Sequence, residues 1–167
     1  MTARLALIGA PGSGKSTVGR LISELWACPF IDTDAEYEAL YGHSVAEAVI
    51  DDESAFRRRE TELVTAALRR PAAVVAVGSG AVLADQVRAA LAAVPTVWLE
   101  VGLVDAAKRT GLSGARPVAL GNVRGQLDTM LKQRAGVYGE ACDLQVVTDG
   151  RAPEDIIADI TTWEAQR

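Results

Sequence analysis

Leu5-Ala6-Leu7-Ile8-Gly9-Ala10-Pro11-Gly12-Ser13-Gly14-Lys15-Ser16-Thr17 decides the fold. Its first four residues are an uninterrupted apolar run that stops at a glycine, the pattern of a short strand buried on both faces. Its end opens a helix whose apolar positions Val18, Leu21, Ile22 and Leu25 recur on one face. Between them, Gly9 to Ser16 spells G-x-x-x-x-G-K-S/T in the strand-to-helix setting that a phosphate-binding loop requires. Glycines let main-chain N–H groups turn inward around phosphate oxygens, and the helix start adds positive potential. On this reading Gly12, Ser13, Gly14, Lys15, Ser16 and Thr17 hold a nucleotide's phosphates. Lys15 bridges the β- and γ-phosphates, and Ser16 offers a hydroxyl to Mg²⁺, an ion that takes few protein ligands.

Outward from the loop, strands and helices alternate. Phe30-Ile31-Asp32 reads as a second strand, followed by a polar helix from Ala35 to about Leu40 that Gly42 breaks. An amphipathic helix is expected from Ser54, as N-cap, to Arg70, where Pro71 stops it. Val74 to Val77 repeats the buried-strand pattern and meets Gly78-Ser79-Gly80. A helix over Ala84 to Ala93, a strand over Thr96 to Val101 and a helix over Val104 to Thr110 follow. The window from Gly111 to Gly125 carries four glycines and Pro117, and reads as a mobile loop or lid. A helix from Val123 to Val137, a strand at Leu144 to Val147 and a helix from Pro153 to Trp163 close the pattern. Such alternation predicts an α/β fold with a five-stranded parallel sheet covered on both faces, in one domain spanning residues 1–167.

Composition agrees. At 167 residues, 49% hydrophobic and 23% charged, the chain can bury a core, and its 29 alanines favour helix. A net charge of −5 argues against a nucleic-acid footprint but leaves room for a small anion. Fourteen of the 17 cations are Arg, the better bidentate partner for carboxylate or phosphate. Cys28 and Cys142 fit no metal spacing and read as two reduced thiols. No stretch approaches the ~20 apolar residues of a membrane span, so the expectation is a cytoplasmic protein with no membrane partner.

The carboxylates after the second strand begin to specify the chemistry. Asp32 and Asp34, two apart at the carboxyl end of a strand, can face the same side, where open α/β sheets place ligands. No Asp ends the third strand, so Asp32 is the candidate for holding the metal's water shell. Asp34 is then free to orient or deprotonate an acceptor hydroxyl, or else serves only as N-cap of the next helix.

The ordered set resembles shikimate kinase, a family of small phosphate-loop metabolite kinases. It comprises the loop from Gly9 to Thr17, Asp32-Thr33-Asp34 with Glu38, Phe56-Arg57 with Glu60, the turn at 78–80, Arg116-Pro117, and Arg134 followed by Tyr138. The resemblance implies a three-layer αβα P-loop NTPase-like fold with a lid at 111–125 and a small helical substrate-binding region at 33–60. It implies ATP and Mg²⁺ as cofactors and shikimate as acceptor; a monomer is expected of a chain of this size with no long apolar surface stripe. Asp34 would bind the acceptor's hydroxyls. Arg57, Arg134 and the backbone of Gly78, Ser79 and Gly80 would hold its carboxylate and ring. Arg116 would close over the γ-phosphate, and Arg109 would stack beside adenine, although a cation at a helix end equally suits the dipole. Two Arg from distant segments converging on one anion suit a small carboxylic acid, and Arg57 with Glu60 at i,i+3 can pair on one helix face. Taken without the resemblance, Arg57-Arg58-Arg59 reads as a solvated face.

Three departures bear on the acceptor. Ser79 replaces the middle of three glycines and would cost on the order of 1 kcal/mol if φ there were positive. Tyr37 stands where an aliphatic residue is usual, and Val49 lies near a position often aromatic, which would widen the pocket. The alternatives left open are a kinase of another small hydroxy acid such as gluconate, and an inactive nucleotide-binding regulatory module.

Overall fold

The computed structural model describes residues 2–111 and 122–167. Thirteen elements follow in order: β1 (Leu5–Ile8), α1 (Lys15–Leu25), β2 (Phe30–Asp32), α2 (Thr33–Tyr41), α3 (Val45–Leu68), β3 (Val74–Ala76), a 3₁₀ turn (Ala81–Leu83), α4 (Asp85–Leu91), β4 (Thr96–Glu100), α5 (Leu103–Arg109), α6 (Val123–Ala141), β5 (Leu144–Val147) and α7 (Pro153–Ala165). The strands form one parallel sheet in the order β2-β3-β1-β4-β5. β1 is central, so the crossovers place helices on both faces and the loop after β1 opens at the middle of the carboxyl edge.

The period of two along β1 sorts the core. Leu5 and Leu7 join Val18 and Ile22 of α1 and Ile156 and Ile160 of α7 on one face. Ala6 and Ile8 face Val64 and Leu68 of α3, Val87 of α4 and Leu127 of α6 on the other. All four β1 residues have zero exposure, which is why the strand is apolar without alternation. A third cluster, Tyr37, Ala48 and Phe56 with Val45, Val49 and Leu63, packs α2 against the first part of α3. Tyr37 is 2% exposed and meets Phe56 edge-on at 5.0 Å. Its ring therefore fills the α2–α3 seam rather than the acceptor side.

The expected start of the long helix is corrected. α3 begins at Val45, with Ser44 and Glu47 forming a reciprocal capping box, and breaks at Asp52, which has φ −152° and ψ 92°. Asp52 Oδ1 accepts from Ala55 N at 2.9 Å, so Asp52 caps the second segment. Ser54 lies inside that segment, and its hydroxyl accepts from Arg58 at 3.1 Å. The sequence S-x-x-E at 44–47 carried the capping-box signature. The expected helix at 84–93 is shorter, α4 over Asp85–Leu91 preceded by the 3₁₀ turn, while α6 continues past Val137 to include Tyr138.

Candidate active site

Three segments lie side by side at the carboxyl edge: the loop 9–14 after β1, the β2–α2 junction at 32–34 and the turn 78–80 after β3. Gly14 is the N-cap of α1 with φ 92°, a left-handed conformation that favours glycine. A Cβ there would meet nothing within 4 Å, so the backbone angle, not crowding, requires glycine. Gly12, Gly14, Lys15, Ser16, Thr17 and Arg109 line a cavity of about 330 Å³ at the start of α1. Ser13 lies beneath it, 1% exposed, its amide donating to Ala10 O at 3.2 Å. Lys15 Nζ folds into the loop and donates to Gly9 O at 2.9 Å and Ala10 O at 3.0 Å. Burial of this ammonium lowers its pKa from 10.5 to about 8; Asp34 and Asp32 hold it up, and Arg134 pushes it down further.

Asp32 joins the end of β2 to α1 and α2. Its Oδ2 accepts from Ser16 Oγ at 2.5 Å, and its Oδ1 accepts from the amides of Asp34 (3.1 Å) and Ala35 (3.3 Å). Asp32, not Asp34, is therefore the N-cap of α2. A serine hydroxyl and a carboxylate joined beside a phosphate cradle are the hard oxygen donors that suit Mg²⁺.

Asp34 turns instead toward the third loop. A Cβ on Gly78 would lie 2.6 Å from Asp34 Oδ1 and 2.9 Å from Glu60 Oε1, and one on Gly80 would strike the Arg57 guanidinium. Neither glycine has positive φ; what favours glycine here is the close approach of these side-chain ends, which a Cβ would force to shift. Ser79 does not have positive φ either, so the expected strain does not arise. Burial raises Asp34 above its ordinary 3.8, with Lys15 opposing. Burial also raises Glu60 above 4.5, opposed by the hydrogen bond from Arg57. That bond, Nη1 to Oε2, is 2.6 Å long, and Glu60 is 6% exposed. Arg57 is thus held on an anionic partner, with Glu53 at 3.8 Å on its outer side, and is not a freely solvated surface charge.

The second guanidinium arrives from α6. Arg134 Nη1 donates to Ser79 Oγ at 3.4 Å, and one helical turn on, Tyr138 Oη donates to Ser79 O at 2.7 Å. Burial pushes the Tyr138 phenol up, so it remains a donor. Arg57 and Arg134 therefore flank the same three-residue turn, with Asp34 over its first residue. Not all three amides are open: Gly78 N donates to Thr33 Oγ1 at 2.9 Å, a partner that the motif reading did not anticipate. The amides of Ser79 and Gly80 have no acceptor among the described residues.

Arg109, the last residue of α5, donates to Gly12 O (3.2 Å), Thr148 O (2.9 Å) and Thr148 Oγ1 (3.1 Å), and pairs with Asp105 at 3.2 Å. It ties the phosphate loop to the turn after β5. Arg116 and most of the 111–125 window lie outside the described residues.

The shikimate kinase family model matches residues 11–164 of this chain. A shikimate kinase of Thermobifida fusca is 46% identical over 150 residues, which is 89% of this chain and 87% of the relative. One from Salinispora arenicola is 44% identical over 155 residues, 92% and 93% of the two chains. Among solved structures, a shikimate kinase from Acinetobacter baumannii in complex with shikimate superposes with a TM-score of 0.90 at 29% identity, covering 99% of this chain and 94% of the other. A phosphate-loop cradle, a half-buried carboxylate and two converging guanidiniums, on a fold matched over nearly its whole length, lead to one conclusion: the chain belongs to the shikimate kinase family.

Proposed function

We propose that this chain transfers the γ-phosphoryl group of ATP to the 3-hydroxyl of shikimate, giving shikimate 3-phosphate and ADP. The observation that carries the reading is the convergence of Arg57 and Arg134 on the 78–80 turn, beside Asp34 and within electrostatic reach of Lys15. Two fixed guanidiniums orient a carboxylic acid; a neutral sugar would leave them unpaired. Relatives named shikimate kinase at 44–46% identity and the family member in complex with shikimate support the same acceptor.

The main-chain amides at the start of α1 and Lys15 hold the β- and γ-phosphates. Ser16 and Asp32 would hold Mg²⁺, which when bound neutralises charge on the β- and γ-oxygens. Arg57 and Arg134 grip the acceptor's carboxylate, and the amides of Ser79 and Gly80 face its ring. Asp34, with a carboxylate made more basic by burial, orients the 3-hydroxyl and takes its proton as that oxygen bonds to the γ-phosphorus. The bond from the γ-phosphorus to the β–γ bridging oxygen breaks, and ADP leaves with that electron pair. By the family pattern, Arg116 neutralises charge on the transferring group and Arg109 borders adenine. The reading takes residues 1–167 as one kinase unit with its acceptor region at 33–60 and its lid at 111–125. It takes the enzyme as a cytoplasmic monomer that binds neither membrane nor nucleic acid; no helix among the described residues is long and apolar enough to cross a membrane.

The test is ADP release with ATP and Mg²⁺ against shikimate, gluconate, a nucleoside monophosphate and no acceptor. Shikimate-dependent turnover, lost in Arg57→Ala with ATP affinity retained, is expected. Turnover with gluconate alone, or ATP binding without any transfer, would replace this function with one of the alternatives.

A further inference from the structure

The ladder between β2 and β3 ends in an unusual last rung. Val74 N donates to Pro29 O at 2.9 Å, and register continues through Asp32 opposite Ala76. Four residues beyond Val74 and Pro29, a continuing strand pair would join Gly78 N to the carbonyl of Thr33. The chain cannot do this, because Thr33 is already the first residue of α2 and its carbonyl points along the helix. The side chain substitutes: Thr33 Oγ1 accepts the Gly78 N–H at 2.9 Å, buried, with Thr33 only 2% exposed.

This rung joins two parts of the acceptor site. On one side, Thr33 lies between Asp32, which holds Ser16 and caps α2, and Asp34, the proposed base. On the other, Gly78 begins the turn whose next two amides face the acceptor. Asp34 Oδ1 lies over Gly78, 2.6 Å from where a Cβ there would sit. The Thr33 hydroxyl therefore makes the direct hydrogen bond between the segment that carries the base and the turn, which Arg134 and Tyr138 hold from the α6 side.

We infer that Thr33 is a positioning residue for phosphoryl transfer: its hydroxyl, by holding the Gly78 amide, sets the 78–80 turn and its bound acceptor against Asp34. The inference rests on the function proposed above. Thr33→Val keeps the shape of the side chain and removes the acceptor, leaving a buried N–H unpaired so that the turn must shift to satisfy it. A displacement of even 1 Å at an acceptor-binding element is costly in rate.

The test measures kcat and both KM values, with melting temperature, for the unmodified chain, Thr33→Val, Thr33→Ala and Thr33→Ser. Expected for Thr33→Val is a rise of about tenfold in KM for shikimate and a fall of at least about threefold in kcat, with KM for ATP within about twofold. Thr33→Ser, which retains the hydroxyl, restores both parameters while keeping any loss of melting temperature due to the missing methyl. Thr33→Ala serves in place of Thr33→Val should the latter not fold. Shikimate parameters within twofold of the unmodified chain in the hydroxyl-less variants, a parallel rise in both KM values, or failure of Thr33→Ser to restore them would each overturn the inference. Absence of shikimate-dependent turnover in the unmodified chain is a different result, and overturns the proposed function together with this consequence of it.

Discussion

Lys15 offers a pH dependence whose size follows from its surroundings. Its ammonium lies within the phosphate loop on Gly9 O and Ala10 O, and burial brings its pKa down to about 8. Phosphate binding needs the charged form, so ATP affinity should follow its population in the free protein. That population is about ten elevenths at pH 7, one half at pH 8 and one eleventh at pH 9. Titration calorimetry with ATP and Mg²⁺ from pH 6.5 to 9.5 should therefore show affinity falling roughly twofold by pH 8 and about tenfold by pH 9. Unfolding does not mimic this. Between pH 8 and 10.5 the unfolded chain holds more protons on Lys15 than the folded chain, so this group makes the fold more stable as pH rises. Asp34 is the larger of the two carboxylate influences that hold the lysine up, so Asp34→Asn should move the midpoint to lower pH. Affinity flat to pH 9.5, or a midpoint that Asp34→Asn leaves in place, would refute the reasoning.

Three further predictions concern Glu60 behind Arg57 and the break in α3. Glu60→Gln removes the anionic partner of Arg57 and should raise KM for shikimate by about tenfold, with KM for ATP unchanged in steady-state kinetics. Because the folded pKa of Glu60 lies above its ordinary 4.5, its contribution to stability is present below that value and lost as pH rises through the folded pKa; paired melting curves at pH 5 and 8 should show the Gln variant gaining on the unmodified chain at the higher pH. Asp52→Ala removes the cap at the break in α3 and should cost about 1 kcal/mol, a drop of roughly 2–4 °C in melting temperature by calorimetry.

What the sequence made legible follows from how local each signal is. β1, β2 and β5 fall on Leu5–Ile8, Phe30–Asp32 and Leu144–Val147 as expected, each being a short, mainly apolar stretch. The phosphate loop was equally readable, its conformation being set by glycines at fixed spacing. The start of α3 was misjudged because Ser54 and Ser44 both look like caps, and only Ser44 has Glu three residues on. Ser79 raised concern over a backbone angle that the fold does not impose; the flanking glycines make room for Asp34, Glu60 and Arg57. That requirement is tertiary and has no local signature. Thr33 stayed silent between two conspicuous aspartates, since its partner is 45 residues away across a strand boundary. The convergence of residues 57 and 134 was reached through the family pattern; periodicity places each on a helix but not beside the other.

The central claim is that Arg57 and Arg134 grip the acceptor's acid group from two sides of one turn. It is tested most directly by calorimetric affinities of shikimate and its methyl ester for the unmodified chain, Arg57→Ala, Arg134→Ala and the double variant. The account predicts that the ester binds at least about tenfold more weakly than the acid to the unmodified chain, and that this preference shrinks in each single variant and disappears in the double variant. Equal affinity for acid and ester in the unmodified chain, or a preference that survives removal of both guanidiniums, would contradict it.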